Sequence, residues 1–214
     1  MLYSRPKNFI FIHVWKTAGE SIVEALRDQC DPLFRSRVAT KLLRLGQEPL
    51  AKKLGWKAHL IHGQHLKARN IRDIMPDGVY DDAYSFGFVR NPWDWTVSAY
   101  HYARQTKANP EHEIVNRLGS LHDYVLYRQD NFLRLQCSFL FDTDDQPMVS
   151  KIGRFESLKS DLREIGDTIG VPIMPPKRNV SVRKRDWRKY YDDKTFDRVA
   201  EMYRKDIELL GYAE

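Results

Sequence analysis

The sequence predicts an α/β domain, three layers deep around a mostly parallel sheet flanked by helices, and three observations carry that reading. Residues 9–14 read FIFIHV and residues 84–89 read YSFGFV. The run at 9–14 does not alternate apolar with polar residues, as a strand with one wet face would, so it reads as a strand covered on both faces, and the run at 84–89 reads as a second buried strand. Each run gives way at once to a turn and then to residues at helical spacing, and strands that alternate with helices build this class of fold.

The elements follow in order. After the first strand, SIVEALRDQ places Ile22, Val23 and Leu26 on one side of a helix. Residues 31–58 are basic and interrupted by Pro32, Gly46, Pro49 and Gly55, which reads as a long excursion with one helix over residues 38–45. The wider stretch 31–83 is a candidate acceptor-side insertion. After the second strand, Asn91-Pro92 opens a helix with proline in its favoured first turn, and Trp93, Val97, Tyr100 and Arg104 recur along it. Residues 121–140 read as one helix entered through Ser120 and Asp123, a capping-box-like start. MVSKIGRF (148–155) is a third strand. A helix carrying Leu158, Leu162, Ile165 and Ile169 follows, stopped by Gly170 and Pro172. A last helix spans residues 194–210 with Phe196, Val199, Ala200, Tyr203 and Ile207 on one face.

With 214 residues and 42% hydrophobic composition, the chain suffices for one sizeable core, so a single domain over 1–214 is expected. The 35 basic and 29 acidic residues leave a net charge of +6, which favours anionic partners without choosing among nucleotides, acidic glycans and nucleic acid. The two cysteines, Cys30 and Cys137, stand far apart and no signal-peptide pattern precedes them, so a disulfide framework is not expected. The apolar run near the start holds about six residues, far short of the roughly 20 that span a membrane. A cytoplasmic protein is the expectation, or one of the Golgi lumen if a membrane anchor has been removed.

Two segments carry chemistry. In FIHVWKTAGESI (11–22) a buried strand breaks on Lys16, Thr17, Gly19, Glu20 and Ser21. Backbone N–H groups at a helix start point outward unpaired with partial positive charge, so a turn of this composition before a helix is a cradle for an anion, and Lys16 adds a full charge to it. The common triphosphate loop, G-x-x-x-x-G-K-[ST], has its lysine after the glycines; here the lysine comes first. In FVRNPWDWTVSAY (88–100), Arg90 ends the second strand and Ser98 lies two turns into the next helix. Ligands of open parallel sheets sit beyond the carboxyl ends of strands. An arginine there can grip a phosphate by two parallel hydrogen bonds and a serine can add a third donor; a structural pairing of Arg90 with Asp94 is the plainer alternative.

HVWKTAGES resembles the 5'-phosphosulfate loop of sulfotransferases that use 3'-phosphoadenosine-5'-phosphosulfate, and FVRNPWDWTVSAY resembles their 3'-phosphate motif. The forms are nearest those of the carbohydrate branch, the heparan 2-O and chondroitin type, and the later GRFESL and NVSVRKRDWRKYY segments extend the likeness over nearly the whole chain. The resemblance implies a P-loop-like domain in which Lys16, Thr17, Ala18, Gly19, Glu20 and Ser21 surround the 5'-phosphosulfate and Arg90 and Ser98 take the 3'-phosphate. It implies that a loop within the basic run 177–189 closes over the nucleotide, with Arg183 and Lys184 as candidates and Asn179 and Ser181 as weaker ones. Trp15 stands where the family has proline, Glu20 where it has threonine, and Trp95 where it has arginine.

The transfer such an enzyme performs needs an acceptor hydroxyl, a base for its proton and positive charge on the departing phosphate. Histidine suits base work at neutral pH. HLIHGQHLKARNIRD supplies His59, His62 and His65, and its QHLKAR resembles the segment that holds the family's base, so His65 is the first candidate and His62 the second. Gly63 disfavours the helix that would align the three histidines for a metal, so no metal is expected. Arg154, Phe155 and Glu156 read as buttresses of the core. The expected partners are the nucleotide donor and a glycan or small hydroxylated acceptor, not nucleic acid. Two other classes compete: a basic protein that binds nucleic acid or acidic glycan without catalysis, and a nucleotide kinase, which the lysine-first loop and the lack of a magnesium-holding aspartate at a strand end disfavour.

Overall fold

A computed structural model describes residues 1–31, 55–57, 60, 65–174 and 186–213; the helix predicted at 38–45 lies outside them. The chain forms two compact units, Met1–Val89 with Ser138–Arg178 and Arg90–Cys137 with Asn179–Glu214.

The first unit holds the sheet. Its strands β1 (Leu2–Ser4), β2 (Phe9–Ile12), β3 (Tyr84–Val89) and β4 (Lys151–Arg154) are ordered β1-β2-β3-β4. The last three are parallel, with Ile12 beside Gly87 and Val89 beside Arg154, while β1 pairs antiparallel with β2. The predicted mostly parallel sheet is therefore the observed one, and β1 is an edge strand that the pattern did not reveal. All four residues of β2 are buried, as its unbroken apolar run requires, and Phe9 and Phe11 pack against Phe86 at centroid distances of 6.1 and 5.3 Å. Full burial of each such side chain is worth about 1.5–3 kcal/mol. Helix α1 (Gly19–Leu26) buries Ile22 and Leu26, and α2 (Ala68–Ile74) buries Ala68 and Ile71.

The second unit is helical. Helix α3 (Pro92–Gln105) starts as expected, with Asn91 accepting from the N–H groups of Trp93 and Asp94, but its first nine residues are all buried, so it is no one-sided stripe. Trp95, at the position where an arginine was the family norm, is core and meets Tyr203 edge-on at 5.5 Å. Helix α4 (His112–Leu118) precedes α5 (Leu121–Asn131), which Ser120 caps by accepting from the Asp123 N–H.

Two predicted helices are corrected. The single helix over 121–140 ends at Asn131 and resumes only as the four-residue α6 (Cys137–Leu140), because residues 132–134 turn out to solvent and the Gln136 and Cys137 amides go to a carboxylate instead of a helical carbonyl. Past β4 in the first unit, α7 (Leu158–Ile169) ends where Gly170 takes a left-handed turn, as foreseen. In the second unit a short 3-10 turn (Trp187–Tyr190) leads to α8 (Asp193–Met202) and α9 (Arg204–Leu210). These last two were predicted as one helix, which breaks at Tyr203, whose ring is buried in the core. Among the described residues no helix is long and apolar enough to cross a membrane.

Candidate functional site

The first motif occupies the turn between β2 and α1. The strand stops at Ile12 although His13 and Val14 stay buried, and the chain then makes a tight reversal in which φ is +60° at Lys16, negative at Thr17 and +66° at Ala18. Backbone whose φ alternates in sign turns successive N–H groups toward one side, forming a concavity suited to an anion. The first turn of α1 continues from it, with the Ser21 and Ile22 amides returned to the Ala18 carbonyl at 3.0 and 3.2 Å. Thr17 is wholly buried and its hydroxyl donates to the Val14 carbonyl at 2.9 Å, so this side chain braces the turn. Lys16 is half-buried, and Glu20 is an exposed residue of the first helical turn.

Behind this turn stands a histidine that the sequence reading passed over. His13 is buried, its ring stacks on Phe11 at 5.9 Å and lies 4.5 Å from the ring of His65. Gly19 is glycine because of it: a Cβ there would fall 1.9 Å from His13 Cδ2 and Nε2. Burial first, then the amino terminus, the neighbouring His65 and Lys16, push the His13 pKa well below its ordinary range and favour the neutral imidazole. Among the described residues no group hydrogen-bonds its Nδ1. The available signal was a polar residue inside an otherwise apolar strand run.

His65 Nδ1 lies 2.9 Å from the His13 carbonyl oxygen. A carbonyl only accepts, so Nδ1 carries the proton and Nε2 is the basic nitrogen of the neutral ring, the tautomer that a proton acceptor working through Nε2 needs. The structure thus brings together His65, His13, Gly19 and the Lys16 turn within the first unit. His59 and His62 lie outside the described residues, as do Asn179, Ser181, Arg183 and Lys184.

From Arg90 onward the second motif belongs to the second unit. Arg90 follows the last residue of β3, is buried, and directs Nε and Nη2 to Asp94 Oδ2 at 2.8 and 2.7 Å. The structural pairing considered from the sequence is therefore present. It holds the guanidinium in one orientation through a carboxylate one helical turn on, itself fixed on capped helix α3. Ser98 is buried farther along that helix. The Arg90 main chain is held as well: Gln136 Oε1 accepts from the Arg90 N–H at 2.9 Å and Gln136 Nε2 donates to the Arg90 carbonyl at 2.8 Å. No motif in the sequence marks Gln136.

In the first unit, Arg154 at the end of β4 has its N–H bound by Asp161 at 2.6 Å, which agrees with its reading as a buttress. Among the described residues no cluster of histidine, cysteine and carboxylate side chains has the arrangement of a metal site.

The chain matches the family described as "Sulfotransferase family" over residues 1–213. Among solved structures it is similar to mouse sulfotransferase SULT7A1 complexed with PAP. That likeness has a TM-score of 0.50 and 17% sequence identity, covers 99% of this chain and 91% of that one, and speaks for the fold. No curated protein matches it in sequence.

Proposed function

The chain belongs to the sulfotransferase family, enzymes whose donor is 3'-phosphoadenosine-5'-phosphosulfate, and from that premise we propose that it moves a sulfuryl group to a hydroxyl of a carbohydrate, with His65 as base. The observation that carries the reading is the turn at residues 16–18. Its alternating backbone, its lysine and the helix start that follows form an anion cradle after the carboxyl end of a parallel strand.

The residues fit the donor's two anionic ends. Lys16 and the amides that follow it suit the 5'-phosphosulfate, and Arg90, aligned by Asp94, suits the 3'-phosphate with Ser98. When bound, the donor supplies the sulfuryl group and a nucleotide leaving group. His65 Nε2 takes the proton of the acceptor hydroxyl as its oxygen attacks sulfur, and Lys16 neutralises charge growing on the bridging oxygen. The carbohydrate acceptor rests on the likeness of the two motifs to the carbohydrate branch.

Titration with 3',5'-diphosphoadenosine is expected to raise the melting temperature saturably without magnesium, with ATP much weaker. Lys16→Ala and Arg90→Ala should each weaken the diphosphate by about tenfold or more, the worth of a lost charge-assisted contact. Unchanged affinity in both variants would remove the site assignment. A labelled-sulfate transfer screen over glycans and small alcohols, with His65→Ala as the inactive control, identifies the acceptor; equal turnover by that control eliminates His65 as base.

A further inference from the structure

Arg90 emerges where β3 ends, and a residue leaving a sheet loses the strand partners of its N–H and C=O. Gln136 replaces both. Its side-chain amide bonds the two Arg90 main-chain groups at 2.9 and 2.8 Å, an exchange that only one orientation of the amide permits, and the residue is completely buried. Gln136 is itself gripped from behind. The two carboxylate oxygens of Asp206, on α9 and also completely buried, accept from the Gln136 and Cys137 N–H groups, both at 2.8 Å. Those amides open the short helix α6, so Asp206 fixes the piece of chain that carries the clasp.

We propose that Gln136 and Asp206 are positioning residues for Arg90 and thereby set how strongly the protein prefers a nucleotide with a 3'-phosphate to one without. The inference rests on the reading above that Arg90 takes that phosphate. A planar guanidinium forms two parallel bonds to a phosphate only within a narrow range of orientation, and an arginine is aimed by its backbone as much as by its side chain. Asp94 fixes the guanidinium end; Gln136 and Asp206 fix the other. A buried glutamine that only held the fold together would, on replacement, weaken every ligand alike or none. A positioning residue weakens specifically the ligand that reaches Arg90.

The test is calorimetric titration of the full chain with 3',5'-diphosphoadenosine and with adenosine 5'-monophosphate, read as the ratio of the two affinities. In Gln136→Leu, which keeps the volume and removes both hydrogen bonds, the ratio should fall by about tenfold, the worth of one charge-assisted bond out of line. Asp206→Asn, which keeps the shape and one acceptor oxygen, should lower it by a smaller factor and serves where Gln136→Leu does not fold. A folded variant in which both nucleotides weaken equally, or neither does, overturns the proposal. Arg90→Ala separates the two levels. If it lowers the ratio while the Gln136 and Asp206 variants do not, only the positioning role falls. If it leaves the ratio unchanged, the 3'-phosphate reading falls and takes this inference with it.

Discussion

Gly19→Ala is the sharpest probe of how the first motif is packed. The added Cβ would lie 1.9 Å from His13 Cδ2 and Nε2, whereas carbon atoms rest at about 3.5–4.0 Å. The ring has little space to retreat, since it is buried between Phe11 and His65. Overpacking of a filled site costs about 1–3 kcal/mol, and this overlap belongs at the upper end. Alanine returns at most about 1 kcal/mol over glycine, the helix-interior figure, at this first residue of α1, so a net loss of at least about 2 kcal/mol is expected. With a urea slope of about 2–3 kcal/mol/M, the midpoint falls by about 0.7–1 M. His13→Ala removes the obstacle, and Gly19→Ala in that background should stabilise by up to about 1 kcal/mol. The double-mutant cycle therefore closes with a coupling of about 3 kcal/mol. A Gly19→Ala protein as stable as the parent, or the same change in both backgrounds, would show that the His13 ring does not stand over Gly19.

Two further outcomes follow from the same turn. Because burial, reinforced by the amino terminus, His65 and Lys16, lowers the His13 pKa, the unfolded chain binds a proton below about pH 6.5 that the folded chain refuses. Stability should therefore fall on acidification from pH 6.5, by up to about 1.4 kcal/mol per pH unit from this group, and urea melts of His13→Phe should show a shallower slope between pH 7 and 5; equal slopes would refute the linkage. Ala18, at φ +66°, carries the roughly 1–2 kcal/mol strain of a left-handed L-residue, so Ala18→Gly should raise stability by about 0.5–1 kcal/mol after the entropy of glycine is deducted. A lower melting temperature in that variant would contradict the strained turn.

Much of the fold was legible because it rests on local pattern. The run at 9–14 yields the strand Phe9–Ile12 and the run at 84–89 the strand Tyr84–Val89, both buried almost throughout, and Asn91-Pro92, Ser120 and Gly170 mark helix ends by chemistry that acts within a few residues. The failures have a common cause in long-range contacts. The stretch from 121 to 140 has helical spacing throughout, yet Asp206, some seventy positions away, takes the amides that a continuous helix would use. Likewise Tyr203 fits the apolar stripe of a long last helix, but the core takes its ring at the point where the axis breaks. Edge strand β1 is three residues long, too short for any period to show.

The same division runs through the candidate site. Lys16 and Arg90 could be read from the sequence because charge beside a strand end is conspicuous. The residues that brace them were not, since their role depends on what the strand end leaves unpaired. Where a strand stops, the N–H and C=O groups it would have shared must find other partners or cost about 1–3 kcal/mol each when buried. Thr17 meets that demand by bonding the Val14 carbonyl, and Gln136 meets it by bonding both main-chain groups of Arg90. Each is buried and carries no charge, so neither stands out in composition or spacing. A charge meant to meet a phosphate gains most from a backbone that does not move when the phosphate arrives, because reorganisation then takes nothing from binding. On the proposed reading of Lys16 and Arg90 as the charges that meet the donor, the braces at the two strand ends support that chemistry, and changing them should alter ligand preference.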